Sequence, residues 1–146
     1  MNLPQLAASA LAAVMLGSCV PASPDADTYD DKAALTLGSA VSEARTIERV
    51  LDTLYDGRML RPAAVTQLRY SEDALDTATD AFTELNPPPT RDRLNRQMRT
   101  LLGDTGDLLA RARIAVERER VGDYPILAED LRHLADRMAR LEERVQ

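Results

Sequence analysis

The sequence predicts an all-α protein with the architecture of an up-down-up-down antiparallel four-helix bundle and coiled-coil-like packing. Apolar residues recur at alternating steps of three and four along four segments, which is the spacing of one face of an α-helix. Three clusters rich in Pro, Gly, Asn and Asp separate these segments, and short connections between long helices require antiparallel neighbours. No segment shows the period-two alternation of a half-buried strand. Long hairpins that open into a three-helix or dimeric coiled coil are the alternative arrangement.

The first two predicted helices span about residues 29–57 and 62–86. Asp56-Gly57 through Pro62 separates them, and Gly and Pro are strong signals that a helix stops. The core-facing positions of each helix, called its seam below, repeat with heptad spacing. The two seams contain Leu37, Val41, Ala44, Glu48, Leu51 and Tyr55, then Ala64, Leu68, Ser71, Leu75, Ala78, Phe82 and Leu85.

The third and fourth predicted helices span about residues 90–121 and 124–146. Three consecutive Pro residues precede the third helix, and a Gly-Asp-Tyr-Pro run at 122–125 separates it from the fourth. Residues 29–146 therefore form one predicted bundle domain. The seams of its second half contain Leu94, Met98, Leu101, Thr105, Leu108, Ala112 and Ala115, then Leu127, Leu131, Leu134, Met138, Leu141 and Val145.

The charge distribution argues against nucleic acid as a partner. The chain has 24 acidic and 18 basic residues and a net charge of -6, so it lacks the broad positive field that attracts DNA or RNA. Residues 87–121, unlike the rest of the predicted bundle, have a net positive charge. This charge favours ion pairs with the acidic helices on either side. Their Arg cluster is either a solvated, ion-paired face or a patch for anionic lipid or a cell-wall polymer. This cluster consists of Arg91, Arg93, Arg96 and Arg99.

The N-terminus has the pattern of a targeting segment. Residues 1–18 contain no charged side chain, and an Ala-rich apolar run fills positions 6–16. This run is too short to span a bilayer, which takes about 20 residues, but it has the length of the apolar region of a signal peptide. It ends at Leu16-Gly17-Ser18-Cys19, which contains an aliphatic residue, two small residues and the only Cys. This tetrapeptide resembles the lipobox of bacterial lipoproteins.

The resemblance implies that residues 1–18 are a signal peptide and that Cys19 is lipidated and becomes the N-terminus of the mature chain. Residues 19–28 then contain the lipidated Cys and a short, Pro-containing linker. The implied location is extracytoplasmic, with the chain anchored to the bacterial membrane by Cys19. Lipidation would also account for the single, otherwise unpaired thiol.

The sequence contains few candidate residues for catalysis or metal binding. One His and one Cys cannot supply a multi-ligand zinc or iron-sulfur site, so no cofactor or metal is predicted. Asp104-Thr105-Gly106 has the letters of the aspartic-protease triplet but lies inside a helical segment, where that chemistry does not occur. Glu129 and His133 share a helix face outside the seam, as an exposed ion pair would. With no nucleophile and base, carboxylate dyad or phosphate loop to place, the protein is predicted not to be an enzyme.

Three polar residues interrupt the seams, namely Glu48, Ser71 and Thr105. Reflecting the chain about its turns predicts that they lie at one height of the bundle, with Met138 or Arg140 of the fourth helix beside them. A buried carboxylate needs a partner, and Arg69 or Arg140 could reach Glu48. One hypothesis is a hydrogen-bonded layer that fixes the register of the helices. The other is a small polar pocket for a ligand or cation.

The functional prediction from sequence is a lipid-anchored, extracytoplasmic helical bundle with a non-catalytic interaction or structural role at the bacterial envelope. Its expected partners are the membrane, through the lipid anchor, and an unknown envelope protein or cell-wall component. The alternative is a small-ligand-binding bundle that uses the polar layer of Glu48, Ser71 and Thr105.

Overall fold

The computed structural model describes residues 24–146, and the predictions for residues 1–18 and Cys19 lie outside them. The four helices pack around one hydrophobic core to which each contributes, and this part of the chain contains no strand. The all-α class and the number of helices are thereby confirmed, and the helix contacts are consistent with a bundle. The elements are α1 (Ala26–Tyr55), α2 (Arg61–Thr83), α3 (Asp92–Glu117) and α4 (Tyr124–Val145), with 3-10 turns at Pro89–Arg91 and Val121–Asp123.

The first helix begins at Ala26, three residues before the start that the periodicity predicts. Asp25 is its N-cap, and the Asp25 carboxylate accepts a hydrogen bond from the backbone N–H of Thr28 at 2.8 Å. An Asp at this position satisfies one of the free amides of the first turn, and its charge suits the positive end of the helix dipole. Residues 26–28 are therefore helical rather than part of the linker.

The connection between α1 and α2 is a tight turn built on Gly57. The N–H of Arg58 donates to the Thr53 carbonyl at 2.9 Å, and the N–H of Gly57 donates to the Leu54 carbonyl at 3.0 Å. This pair of bonds is the Schellman motif, which places its central residue in the left-handed region. Gly57 has φ of +69°, a value that glycine adopts without steric cost.

The third helix ends at Glu117, four residues earlier than predicted. The N–H of Arg120 donates to the Ala115 carbonyl at 2.9 Å, and the N–H of Glu119 donates to the Val116 carbonyl at 3.2 Å. This is again a Schellman motif, but its left-handed residue is Glu119, with φ of +54°. A residue with a Cβ is uncommon there. A prediction of helix ends from Gly and Pro alone therefore does not locate the end of α3.

Most predicted seam residues are buried, and the exceptions follow from helix geometry. Tyr55 is 55% exposed because it is the last residue of α1. On α3, Leu109 is fully buried while Leu108 is only partly buried, since a straight helix drifts by about 20° per heptad. Each helix keeps a polar outer face, and none within residues 24–146 is both long and apolar enough to cross a membrane.

The most extensive helix contact joins α1 and α4. Both helices bury small residues, and small side chains at a contact bring helix axes closer together. At Gly38 the approach is so close that an added Cβ would lie 3.1 Å from the Glu142 carboxylate. By contrast, α3 and α4 approach each other less closely, and two surface grooves lie along their contact. The buried small residues are Ala33, Ala34, Ala40 and Ala44 of α1 and Ala128 and Ala135 of α4.

Enlarging a small residue of α1 is expected to destabilise the fold. Ala44 is fully buried, so Ala44→Leu should lower the free energy of unfolding by about 1–3 kcal/mol through overpacking. Denaturant unfolding followed by circular dichroism measures this change. The matched control is Ala63→Leu at an exposed position of α2, where the stability should stay nearly constant because Ala and Leu have similar helix propensities. Equal stabilities for the two variants would contradict the close packing described for α1.

Candidate functional site

Glu48 is the buried carboxylate of the core, with only 9% of the residue exposed. Its Oε2 accepts a hydrogen bond from Nη1 of Arg45 at 2.9 Å, and its Oε1 accepts one from Nε of Arg132 at 2.7 Å. Arg45 also donates through Nη2 to the carboxylate of Asp136. Two residues of α1 and two of α4 therefore form one ion cluster, called the Glu48 cluster below.

The Glu48 cluster keeps its central carboxylate ionised. Burial raises the pKa of Glu48, but the hydrogen bonds from Arg45 and Arg132 lower it by more, so the pKa lies below its ordinary value of 4.5. The same hydrogen bonds raise the pKa of both guanidinium groups. The cluster is thus a set of satisfied charges at neutral pH.

The partners of Glu48 are not the ones that the sequence suggested. Arg69 donates instead to Glu117 at 3.0 Å, and Arg140 lines a surface groove. Arg45 stands three residues before Glu48 on the same helix face, a spacing that favours an ion pair. That local signal was available in the sequence. The contribution of Arg132 was not, because it depends on how α4 packs against α1.

Thr105 is buried and satisfies its hydroxyl within α3 and at the contact with α4. Its Oγ1 donates to the carbonyl of Leu101 at 2.7 Å and lies 3.4 Å from Sδ of Met138. Met138 is one of the two α4 residues that the layer hypothesis placed beside Thr105. The α4 partners of Thr105 and of Glu48 are six residues apart, which is about 9 Å along a helix. The structure does not join Thr105 and Glu48 by a hydrogen bond.

Ser71 is the third polar residue of the seams and differs from the other two. It is fully buried, and its Oγ has no hydrogen-bond partner among the described residues. A buried hydroxyl without a partner costs free energy, so such groups are rare. All three predicted residues therefore lie in the core, but the structure shows no hydrogen bond between any two of them.

The Arg cluster of α3 divides into paired and unpaired residues. Arg91 donates through Nε and Nη2 to both carboxylate oxygens of Asp30, each at 2.7 Å. This two-bond geometry is the strongest form of an Arg–carboxylate contact. Within residues 24–146, Arg93, Arg96 and Arg99 form no ion pair. The paired-face interpretation therefore holds for Arg91 alone.

A groove of about 380 Å³ lies between α3 and α4, and four Arg side chains line it. We call it the Arg groove. Arg96 comes from the first half of α3, and the other three come from the last two turns of α4. The remaining lining residues supply donors and an apolar floor. The full lining is Arg96, Gln97, Thr100, Leu101, Arg137, Arg140, Leu141 and Arg144. Sequence reasoning identified Arg96 but missed the residues of α4, because their proximity depends on tertiary packing.

Glu129 and His133 are in contact on an exposed face of α4, as their spacing predicts, with 2.8 Å between Oε1 and Nε2. Glu129 also pairs with Arg132, which extends the Glu48 cluster to the surface. Across residues 24–146, no group of three or more His, Cys, Asp or Glu side chains is placed to hold a metal ion.

Comparison with protein-family models, curated proteins and solved structures finds no match to this chain. Functional conclusions must therefore come from its own residues. The two arrangements that merit attention are the Glu48 cluster, which joins helices inside the molecule, and the Arg groove, which faces solvent.

Removing the charge of Glu48 should destabilise the protein in a pH-dependent way. The folded-state pKa of Glu48 is lowered, so its contribution is full at pH values well above 4.5 and is lost as the pH falls through the lowered value. Glu48→Gln should reduce the free energy of unfolding at neutral pH by about 1–3 kcal/mol.

Chemical unfolding of the wild type and the variant at several pH values tests this expectation. The difference between them should shrink as the solution becomes strongly acidic. Glu43→Gln is the matched control, because Glu43 lies on the same helix and forms no ion pair within the described chain. A stability difference that does not change with pH would show that the charge of Glu48 is not what stabilises the contact.

Proposed function

We propose that this protein is a lipid-anchored, extracytoplasmic helical bundle that acts at the bacterial envelope as a non-catalytic interaction or structural protein. The observation that carries the proposal is the position of the first helix. Only six residue steps separate Cys19 of the lipobox-like Leu16-Gly17-Ser18-Cys19 from Asp25, the N-cap of α1. The described fold thus begins directly after the point where the resemblance implies that the mature chain begins.

The proposal includes the up-down-up-down antiparallel order of the helices. Ion pairs support this order, because residue numbers rise along one helix as they fall along its partner. Such pairs connect α2 with α3 and α1 with α4. They are Arg69–Glu117 and Glu72–Arg113 for the first contact, and Arg45–Asp136 and Glu48–Arg132 for the second.

The short tether would hold one end of the bundle at the membrane surface. Six extended residues reach about 20 Å, so the start of α1 stays near the lipid. The opposite end lies about 45 Å away, since a helix of 30 residues rises about 1.5 Å per residue. That far end exposes three large apolar side chains, Tyr55, Leu60 and Val121, at 55%, 78% and 49%. An envelope protein or cell-wall component is the proposed partner there.

A bundle that binds a small ligand at Glu48, Ser71 and Thr105 is the second candidate. The unpartnered hydroxyl of Ser71 favours it, because a ligand could supply the missing hydrogen bond. Against it, five surface grooves of the described chain are lined by other residues and by none of these three. Glu48 and Thr105 also have protein partners already. The structural role is therefore the better-supported proposal.

The intact mass of the protein recovered from membranes tests the anchor. We expect a chain that begins at Cys19 and has the added mass of a diacylglyceryl group, in the membrane fraction of a bacterial host. Cys19→Ala is the control and should abolish the added mass, because the thiol is the site of attachment. A wild-type chain that retains Met1 and stays in the soluble fraction would contradict the proposal.

A further inference from the structure

The Arg groove brings four positive charges together on one side of the molecule. Arg137, Arg140 and Arg144 follow each other on α4 at steps of three and four, which places them on one helix face. Arg96 faces them from α3 across the groove. All four residues are exposed, so their guanidinium groups are available to a ligand from solvent.

Within the described chain these four Arg residues have no carboxylate partner, although Arg137 also borders the neighbouring groove that contains Asp104, Asp107 and Asp130. The lining of the groove contains no Asp or Glu, and none of its four Arg residues forms an ion pair within residues 24–146. Eight other Arg residues do have acidic partners, and the chain as a whole has a net charge of -6. Because like charges repel at short range, the groove is a site that a bound anion would stabilise. The paired residues are Arg45, Arg58, Arg61, Arg69, Arg91, Arg113, Arg120 and Arg132.

The lining fits a phosphate group attached to an apolar molecule. Guanidinium groups match the oxygens of phosphate with two parallel hydrogen bonds, and the exposed side-chain amide of Gln97 adds an uncharged donor. Buried Leu101 and Leu141 form an apolar floor beside them. An anionic phospholipid combines these two features, because its phosphate is joined to a glycerol that continues into acyl chains.

The groove begins near the end of the bundle where α1 starts and runs toward the middle of the molecule, where Asp136, the neighbour of Arg137, pairs with Arg45. The hydroxyl of Tyr29 donates to Oδ1 of Asn95 at 3.2 Å, and Arg91 binds Asp30 at 2.7 Å. The start of α1 is therefore beside the segment of α3 that contains Arg96. Since Cys19 precedes Asp25 by only six residue steps, a lipid anchor would hold this same end at the membrane surface.

We propose that the Arg groove binds the phosphate headgroup of an anionic phospholipid in the membrane that holds the anchor. The location rests on the proposed function, whereas the recognition of phosphate rests on the groove itself. Each Arg near an anionic surface contributes to membrane binding, and the groove would turn the α3–α4 side of the bundle toward the lipid.

Vesicle binding by the full chain with Cys19→Ala, which has no thiol to acylate, tests the groove apart from the anchor. Vesicles of phosphatidylcholine alone are compared with vesicles that also contain phosphatidylglycerol. We expect preference for the phosphatidylglycerol vesicles, and Arg96→Gln with Arg140→Gln should weaken that binding at least about tenfold. The matched control is Arg111→Gln with Arg118→Gln. It removes the same charge from two exposed positions near the far end, one on α3 and one directly after it, and should change the binding less than about twofold.

Three results would overturn the proposal. Binding without preference for phosphatidylglycerol would exclude recognition of anionic lipid, and equal losses in the two double variants would reveal general charge attraction without a site. Displacement of the protein from vesicles by inorganic phosphate, at an ionic strength where chloride has no effect, would indicate a site for free phosphate. Melting temperatures of both double variants verify that they fold.

The proposed lipid anchor and the proposed lipid-binding groove can be disproved independently. Acylated Cys19 without lipid preference would leave the anchor and remove the groove. Lipid preference in a chain that is never acylated would leave the groove and remove the anchor.

Discussion

The close packing of α1 against α4 is the contact on which the rest of the structure depends. Small buried residues such as Ala44 and Ala135 allow the two helices to approach. The contact between α3 and α4 is less extensive, and two surface grooves lie along it. The α1–α4 side of the molecule is therefore the more tightly packed one, and the α3–α4 side is the more open one.

The Glu48 cluster restricts how far α1 and α4 can slide along each other. Apolar and small residues can pack in more than one register of the two helices. The buried carboxylate of Glu48, in contrast, is stable only where Arg45 and Arg132 both reach it. The cluster therefore favours one register of α1 on α4. The other two polar seam residues have separate surroundings: Thr105 bonds to its own helix, and Ser71 has no partner in the described chain. A single polar layer is thus not needed to account for all three.

Periodicity is enough to predict the four helices, because a 3.6-residue repeat with Gly and Pro breaks is a local property. It cannot predict the early end of α3, where Glu119 takes the conformation usual for Gly. Nor can it identify the Arg groove, because Arg96 and Arg140 are distant in sequence and meet only when α3 and α4 pack. Ionic partners across helices, such as Arg132 for Glu48, depend on the same packing.

If the lipid anchor and the Arg groove act together, the half of the bundle where α1 begins lies next to the membrane. Fluorescence quenching by lipids with spin-labelled headgroups measures this directly, using acylated protein with a fluorophore at Arg93→Cys or Arg118→Cys. Both residues are exposed and form no ion pair within the described chain; Arg93 lies in the first turn of α3 and Arg118 directly after its last residue, about 40 Å apart. The account predicts strong quenching at 93 and little at 118. Equal quenching, or stronger quenching at 118, would contradict it.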